Sequence, residues 1–158
     1  MLAEALFSQF DWIEYSGQME SDVTYFFRSP KLIRRLRGES DILYIGRTEN
    51  AIRVRYKQET RTNNLPKNTQ HTNIRTTYVY RRLGMKKPEC FYTKSLNVEL
   101  PADELRQFTE KVMTWDKKFY LMNLDAGMIE TKPFSMEKYL MVNYADEHLE
   151  VPPLNQKI

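Results

Sequence analysis

Two short runs of apolar residues in the first third of the chain predict neighbouring β-strands. Residues 23–27 read Val-Thr-Tyr-Phe-Phe, and residues 42–46 read Ile-Leu-Tyr-Ile-Gly, both rich in β-branched and aromatic side chains. The basic segment between them, residues 31–38, ends in glycine and predicts a loop or a short helical turn. The two strands can therefore form a hairpin with a long basic connection.

The rest of the chain alternates helical and extended patterns. Thr48 is a suitable N-cap for a helix that runs to Glu59, since a hydroxyl can accept a backbone N–H of the first turn. The other predicted elements are a helix over residues 72–83 ended by Gly84, a strand over 89–96, a helix after Pro101 with Leu105, Phe108 and Val112 at helical spacing, a strand over 119–124, and a helix from Met136 to about Tyr144 capped by Ser135. This order predicts an α+β fold with a small, mainly antiparallel sheet flanked by helices.

Charge is distributed unevenly along the chain. Residues 28–87 hold sixteen of the 24 Lys and Arg residues and four acids, a net charge of +12, whereas the remainder carries −9. The basic residues alternate with Asn, Thr, Tyr and Gln, which also donate hydrogen bonds to phosphates and bases. This pattern favours a polyanion partner over a merely solvated basic surface.

Composition narrows the possible chemistry. Cys90 is the only cysteine, which excludes an intrachain disulfide and a thiolate zinc cluster, and two histidines are too few for a multi-histidine metal site. The sequence contains no run of 18 apolar residues, so it predicts no membrane-spanning helix and no membrane partner. The first 22 residues contain no Lys or Arg, which argues against a secretory or mitochondrial targeting segment, and the single cysteine favours a reducing, cytoplasmic setting.

Four sequence elements in order resemble the GIY-YIG nuclease superfamily. Residues 44–46 read Tyr-Ile-Gly, an arginine-bearing helix follows, Glu137 opens a later helix, and residues 152–155 read Pro-Pro-Leu-Asn. Residues 23–25, Val-Thr-Tyr, occupy the place of Gly-Ile-Tyr and keep only the tyrosine. The resemblance, which is closest to small stand-alone phage- or restriction-type members, implies a three-stranded GIY-YIG-like sheet in residues 21–158. It leaves residues 1–20 as an N-terminal extension.

The resemblance implies metal-assisted hydrolysis of a phosphodiester. Its catalytic set here comprises Tyr25, Tyr44, Arg55, Glu137, Asn155 and His71. Glu137 is expected to bind Mg²⁺ or Mn²⁺, because a hard cation can bind through one carboxylate with waters and substrate phosphate completing its shell. The tyrosines are expected beside the attacking water, where nearby cations would have to lower a phenol pKa before it could act as a base. Asn155 is expected to orient the site, and His71 is an auxiliary candidate.

Two spacings differ from the family pattern. The expected arginine position falls on Val54, and an offset of one residue around Ala51 favours Arg55 over Arg53 as the phosphate clamp. Asn155 lies eighteen residues after Glu137, which suggests a short insertion around residues 145–150.

The expected substrate is DNA, most readily double-stranded, held by basic residues outside the catalytic set. These are Arg47, Arg53, Lys57, Arg61, Lys67, Arg75, Arg81 and Arg82. The function expected is therefore a metal-dependent DNA endonuclease with one site per chain, so that double-strand cleavage needs a homo-oligomer or sequential nicks. The alternatives are a non-catalytic nucleic-acid-binding module with the same fold and a protein-interaction factor that uses the acidic C-terminal half.

Each candidate also has an ordinary structural interpretation. Tyr25 and Tyr44 can be strand aromatics, and Glu137 can be an acid that favours a helix N-terminus. Arg55 can pair with Glu59 at i,i+4 on a solvated face. The order of the whole set, rather than any single residue, favours a site.

Overall fold

A four-stranded antiparallel sheet forms the centre of the protein. The computed structural model describes residues 5–60, 78–116 and 134–155. Its elements are α1 (Ala5–Ser8), β1 (Ile13–Glu14), β2 (Val23–Arg34), β3 (Glu39–Thr48), α2 (Ile52–Glu59), α3 (residues 78–83), β4 (Glu89–Thr93), β5 (Asn97–Val98), α4 (Ala102–Trp115), β6 (Phe134–Ser135) and α5 (Met136–His148). The strand order is β1-β4-β2-β3, and β5 and β6 form a separate two-stranded sheet. The α+β class is confirmed, and among the described residues the main sheet has four strands, where the family resemblance implied three.

The predicted hairpin of β2 and β3 is confirmed, but its connection is short. β2 continues as a strand to Arg34, so the prediction of a loop or helical turn from residue 31 is wrong. The pairing passes from Arg28↔Ile42 to Ile33↔Ser40, which leaves the residues around Pro30 out of register. Because proline has no N–H for the ladder, an irregularity there lets the strand continue beyond it.

The central strand β2 is buried on both faces, which explains its unbroken apolar sequence. Successive side chains of a strand point to opposite faces. Phe26 therefore packs with Ile45 and α5 on one face, whereas Tyr25 and Phe27 pack with α2 and α3 on the other. The site residues of β2 and β3 thus lie in or against the packed core of the sheet.

The N-terminal segment contributes to both the sheet and the core. Ile13 and Glu14 pair with Tyr92 and Phe91 of β4, which adds the fourth strand. The Phe7 side chain is fully buried and meets the Phe26 ring edge-on, with 4.7 Å between the ring centroids. The hydrophobic pattern of this segment did not distinguish a helix from a strand, because only a few of its residues face the core.

The tip of the β2–β3 hairpin is attached to the C-terminal end of α5. Arg37 donates hydrogen bonds to the backbone oxygens of Glu147 and Asp146, and Arg35 donates to the Val151 oxygen at 2.6 Å. A cation at this end of a helix satisfies carbonyls that have no intrahelical partner. The attachment fixes the orientation of α5, whose other end carries Glu137.

Two helix predictions need correction at their ends. Thr48 belongs to β3 and does not cap α2, which begins at Ile52 after Ala51 without a side-chain cap. The residues assigned to an insertion, 145–150, largely continue α5, which runs to His148 instead of ending near Tyr144. Ser135 does cap α5, since its Oγ accepts the Lys138 N–H at 3.1 Å.

The remaining helix and strand predictions fall partly within the described residues. The helix after Pro101 is confirmed with Phe108 and Val112 buried, and the strand at 89–96 is confirmed over Glu89–Thr93. The helix over 72–83 is confirmed for residues 78–83 and ends before Gly84, whose φ of +67° suits glycine. The strand over 119–124 lies outside the described residues. Within the described ranges, no helix has the length and apolar character needed to cross a bilayer.

Candidate active site

The two tyrosines of the predicted set lie side by side on the hairpin. Tyr25 stands opposite Gly46 in the β2–β3 register, and the centroids of the Tyr25 and Tyr44 rings are 5.9 Å apart. A Cβ built on Gly46 would lie 2.7 Å from Tyr25 Cζ, from Tyr25 Oη and from Tyr44 Cε1. Glycine is therefore required here because the Tyr25 phenol occupies the space of a side chain. This gives the glycine of Tyr-Ile-Gly a packing role.

The two phenols differ in exposure and in role. Tyr25 is 1% exposed, whereas Tyr44 is partly exposed. Burial raises the pKa of Tyr25 well above its usual range and raises the pKa of Tyr44 to about 12. The negative charges of Glu59 and Glu137 add to the effect on Tyr44, and Arg55 only partly opposes it. The surroundings therefore keep both phenols protonated at neutral pH and do not lower a pKa as base catalysis would need.

Arg55, rather than Arg53, lies beside the tyrosines. Its Nη1 is 3.5 Å from Glu59 Oε1, and its Nε donates to Thr48 Oγ1 at 3.4 Å. Its positive charge lowers the pKa of Tyr25, Tyr44 and Glu137 relative to what burial alone would give. Arg53 is exposed on another side of α2, where its charge acts on Tyr15.

Glu137 faces the same group of residues from the first turn of α5. Burial raises the pKa of its carboxyl, and the charges of Lys138, Arg47 and Arg55 oppose that rise. Its own charge raises the pKa of Tyr44, so the carboxylate and the more exposed phenol are electrostatic neighbours. Residues from β3, α2 and α5 are thus within electrostatic range of one another.

Asn155 holds the backbone of the Tyr-Ile-Gly segment. Its Oδ1 accepts the Ile45 N–H at 3.0 Å, and its Nδ2 donates to the Ile45 oxygen at 3.0 Å. The preceding residue, Leu154, donates its N–H to the Leu43 oxygen at 2.9 Å. Since β3 is the edge strand of the described sheet, this C-terminal segment pairs with the outer edge beside Tyr44. The expectation that Asn155 orients the site has this geometric basis.

Glu59 is a member of the cluster that the sequence did not place in the site. It was recognised only as the i,i+4 partner of Arg55, yet its charge also raises the pKa of Tyr25, Tyr44 and Tyr80. Burial raises the pKa of Glu59 itself against the opposing effect of Arg55. The available signal was its spacing, because a residue four positions after Arg55 lies on the same face of the helix.

The donor set at Glu137 fits a strongly hydrated divalent cation. In the described residues no group of three or more His, Cys, Asp or Glu side chains could hold a metal ion. A half-buried carboxylate whose pKa stays raised beside three cationic side chains still lacks full charge compensation. Mg²⁺ is commonly held by one or two carboxylates with waters and phosphate oxygens, so a single carboxylate such as Glu137 is compatible with such an ion.

Five of the eight predicted nucleic-acid contacts lie in the described residues. Arg47, Arg53, Lys57, Arg81 and Arg82 are all exposed, and the Arg82 guanidinium lies 5.9 Å from the centre of the Tyr78 ring. His71, Arg61, Lys67 and Arg75 lie outside the described residues.

A neutral side chain at position 137 is expected to stabilise the protein at alkaline pH. A carboxyl whose folded pKa is raised contributes stability below its unfolded pKa and loses it as pH rises through the folded pKa. Glu137→Gln cannot ionise, so its Tm should exceed that of the wild type by a few degrees at about pH 8 and should match it at about pH 3.5. Thermal unfolding followed by circular dichroism at both pH values measures the effect. A mutant less stable than the wild type at the higher pH would contradict the assigned burial of Glu137.

Comparison with known proteins gives no relative whose site could be compared with this one. No protein-family model, curated protein or solved structure matches the chain. The proposed chemistry therefore rests on the described side chains and on the order of the sequence motifs.

Proposed function

We propose that the protein is a metal-dependent DNA endonuclease that hydrolyses phosphodiester bonds. The observation that carries the proposal is that Tyr44, Arg55 and Glu137, from three separate elements, lie within electrostatic range of one another, with the buried Tyr25 ring 5.9 Å from the Tyr44 ring between centroids. A phenol, a guanidinium and a half-buried carboxylate are the groups needed to bind a phosphate, order a water and hold a cation. The same order of residues resembles the GIY-YIG nucleases, and that resemblance supports the proposal by analogy.

Arg55 supplies the phosphate clamp. A guanidinium has five N–H donors, of which one is used by Thr48 and one by Glu59, leaving three for a phosphate. Its planar fork matches two oxygens of one phosphate group. Arg55 would therefore hold the scissile phosphate against Tyr44.

Tyr44 is the phenol that meets the substrate. It is the more exposed of the pair, and packing against the buried Tyr25 ring, 5.9 Å away between centroids, restricts its position. With a pKa of about 12, Tyr44 is protonated at neutral pH and donates a hydrogen bond to the phosphate or to the attacking water. Orientation, rather than proton removal, is its role in this proposal.

Glu137 would hold Mg²⁺ or Mn²⁺. Bound there, the cation would supply charge stabilisation for the phosphate oxygens in the transition state. The position of Glu137 in the first turn of the capped helix α5 gives the carboxylate a fixed direction. Arg47, whose charge acts on Glu137, is exposed and can contact the flanking backbone of the nucleic acid.

Nicking of supercoiled plasmid tests this function. Purified protein is incubated with Mg²⁺, Mn²⁺, Ca²⁺ or EDTA, and DNA binding is measured separately at several salt concentrations. We expect nicked circles with Mg²⁺ or Mn²⁺, no cleavage in EDTA, and binding that weakens steeply as salt rises. One site per chain predicts that nicks precede linear product at low protein concentration.

The rival functions give different results in the same assay. Binding without cleavage under every metal would favour the non-catalytic nucleic-acid-binding module. Neither binding nor cleavage at low salt would favour the protein-interaction factor.

A further inference from the structure

Glu59 is the least expected charged group near the site. It is the last residue of α2, and its side chain is only 19% exposed. Arg55 on its own helix contacts it, and its charge acts on Tyr25 of β2, Tyr44 of β3 and Tyr80 of α3. Among the described residues, Arg55 is the cation that contacts this carboxylate and offsets its charge.

The Arg55 guanidinium is fixed at two of its nitrogens. Thr48 Oγ1 accepts from Nε at 3.4 Å, and Thr48 is itself tied to the Asn50 oxygen at 3.2 Å. Glu59 Oε1 lies 3.5 Å from Nη1. Two contacts at different nitrogens set the plane of the guanidinium, and the remaining N–H groups then point away from both partners.

We infer that Glu59 is a positioning residue of this site, which fixes the plane of the Arg55 guanidinium so that its remaining N–H groups meet a substrate phosphate. The inference rests on the proposed function. Glu59 acts through Arg55 and does not touch the substrate.

Burial distinguishes this pair from an ordinary i,i+4 ion pair. An exposed pair of this kind contributes about 0.3–0.5 kcal/mol and can be lost without consequence. Here the carboxylate is largely withdrawn from water, and its charge lies among three phenols whose pKa values it raises. A desolvated carboxylate in such surroundings costs stability, which a purely structural pair on a solvated face would avoid.

A double-mutant cycle tests whether Glu59 acts through Arg55. Glu59→Gln, Arg55→Met and the double mutant are compared with the wild type in cleavage assays, with Glu49→Gln as a control at an exposed acid just before α2. We expect Glu59→Gln to lower kcat about 10- to 100-fold and to change KM little, since a misplaced clamp weakens transition-state contacts. In the Arg55→Met background the same substitution should change kcat less than about twofold.

The results separate the inference from the proposed function. An equal effect of Glu59→Gln in both backgrounds, or wild-type kcat in Glu59→Gln, would overturn the inference while leaving the nuclease intact. Failure of the wild type to cleave under any metal would overturn the proposed function itself.

A second readout needs no activity. With ¹³C-labelled glutamate carboxyls, NMR titration gives the pKa of Glu59 in the wild type and in Arg55→Met. Because the Arg55 charge lowers that pKa, its removal should shift the Glu59 titration to higher pH. An unchanged Glu59 titration would show that the two side chains do not interact, and the inference would be wrong.

Discussion

Glu137→Gln is expected to reduce metal-dependent cleavage by about 10³-fold, since a lost cation forfeits several kcal/mol of charge stabilisation. Gln keeps the size and the hydrogen-bonding ability of the side chain but removes the charge that binds Mg²⁺. The fold should survive, because the raised pKa of Glu137 shows that its surroundings favour the neutral form. DNA binding should also survive, because Arg55 and the exposed basic residues are unchanged.

The control for this substitution lies on the same helix. Glu147→Gln removes an exposed carboxylate from the opposite end of α5 and should leave cleavage unchanged. Cleavage rates, fluorescence-anisotropy binding to a duplex and thermal unfolding are measured for both mutants. If Glu137→Gln cleaves at the wild-type rate, the carboxylate is not the metal ligand; if it loses binding together with cleavage, the loss cannot be assigned to the chemistry.

Gly46→Ala is expected to lower both stability and cleavage. The new Cβ would lie 2.7 Å from Tyr25 Cζ and Oη and from Tyr44 Cε1, and atoms in ordinary contact need about 0.7 Å more. Tyr25 is buried at 1% exposure and has little room to move, so overpacking should cost about 1–3 kcal/mol. The displacement falls on both phenols of the site, and a shift approaching 1 Å should reduce cleavage by about 10²-fold.

A second glycine separates the local effect from general destabilisation. Gly17 has a φ of +106°, so Gly17→Ala strains the backbone, but a Cβ there has no heavy atom within 4 Å. Both mutants are assayed below the temperature at which either begins to unfold. We expect Gly17→Ala to keep the wild-type rate; wild-type cleavage by Gly46→Ala would show that the phenol positions are unimportant.

The elements with strong local patterns were predictable from the sequence. The apolar runs of β2 and β3, the cap at Ser135 and the helical spacing of Phe108 and Val112 each satisfy a local rule, and each matches the structure. The predictions that were wrong concern segments whose local structure is determined by tertiary contacts. Thr48 has the chemistry of an N-cap, but pairing with Val23 keeps it in a strand, where its hydroxyl is available to Arg55.

The order of motifs indicated the candidate residues Tyr25, Tyr44 and Arg55 but not the contacts that hold them. In the structure the Tyr25 and Tyr44 rings pack together, and Arg55 lies within electrostatic range of both. The bonds from Asn155 to Ile45 span 110 positions of the chain, so no local pattern could define them. The burial of Glu59, whose side chain is 19% exposed, is a tertiary property that its position in the helical pattern did not reveal.

A manganese soak of crystals of the protein tests the central claim most directly, because anomalous diffraction locates Mn²⁺ independently of any assay. The account predicts a peak about 2.0–2.2 Å from a carboxylate oxygen of Glu137, on the side that faces Tyr44, with waters as the other ligands. A Glu137 carboxylate without a bound ion at saturating Mn²⁺, or an ion held only at some other acidic group, would contradict it.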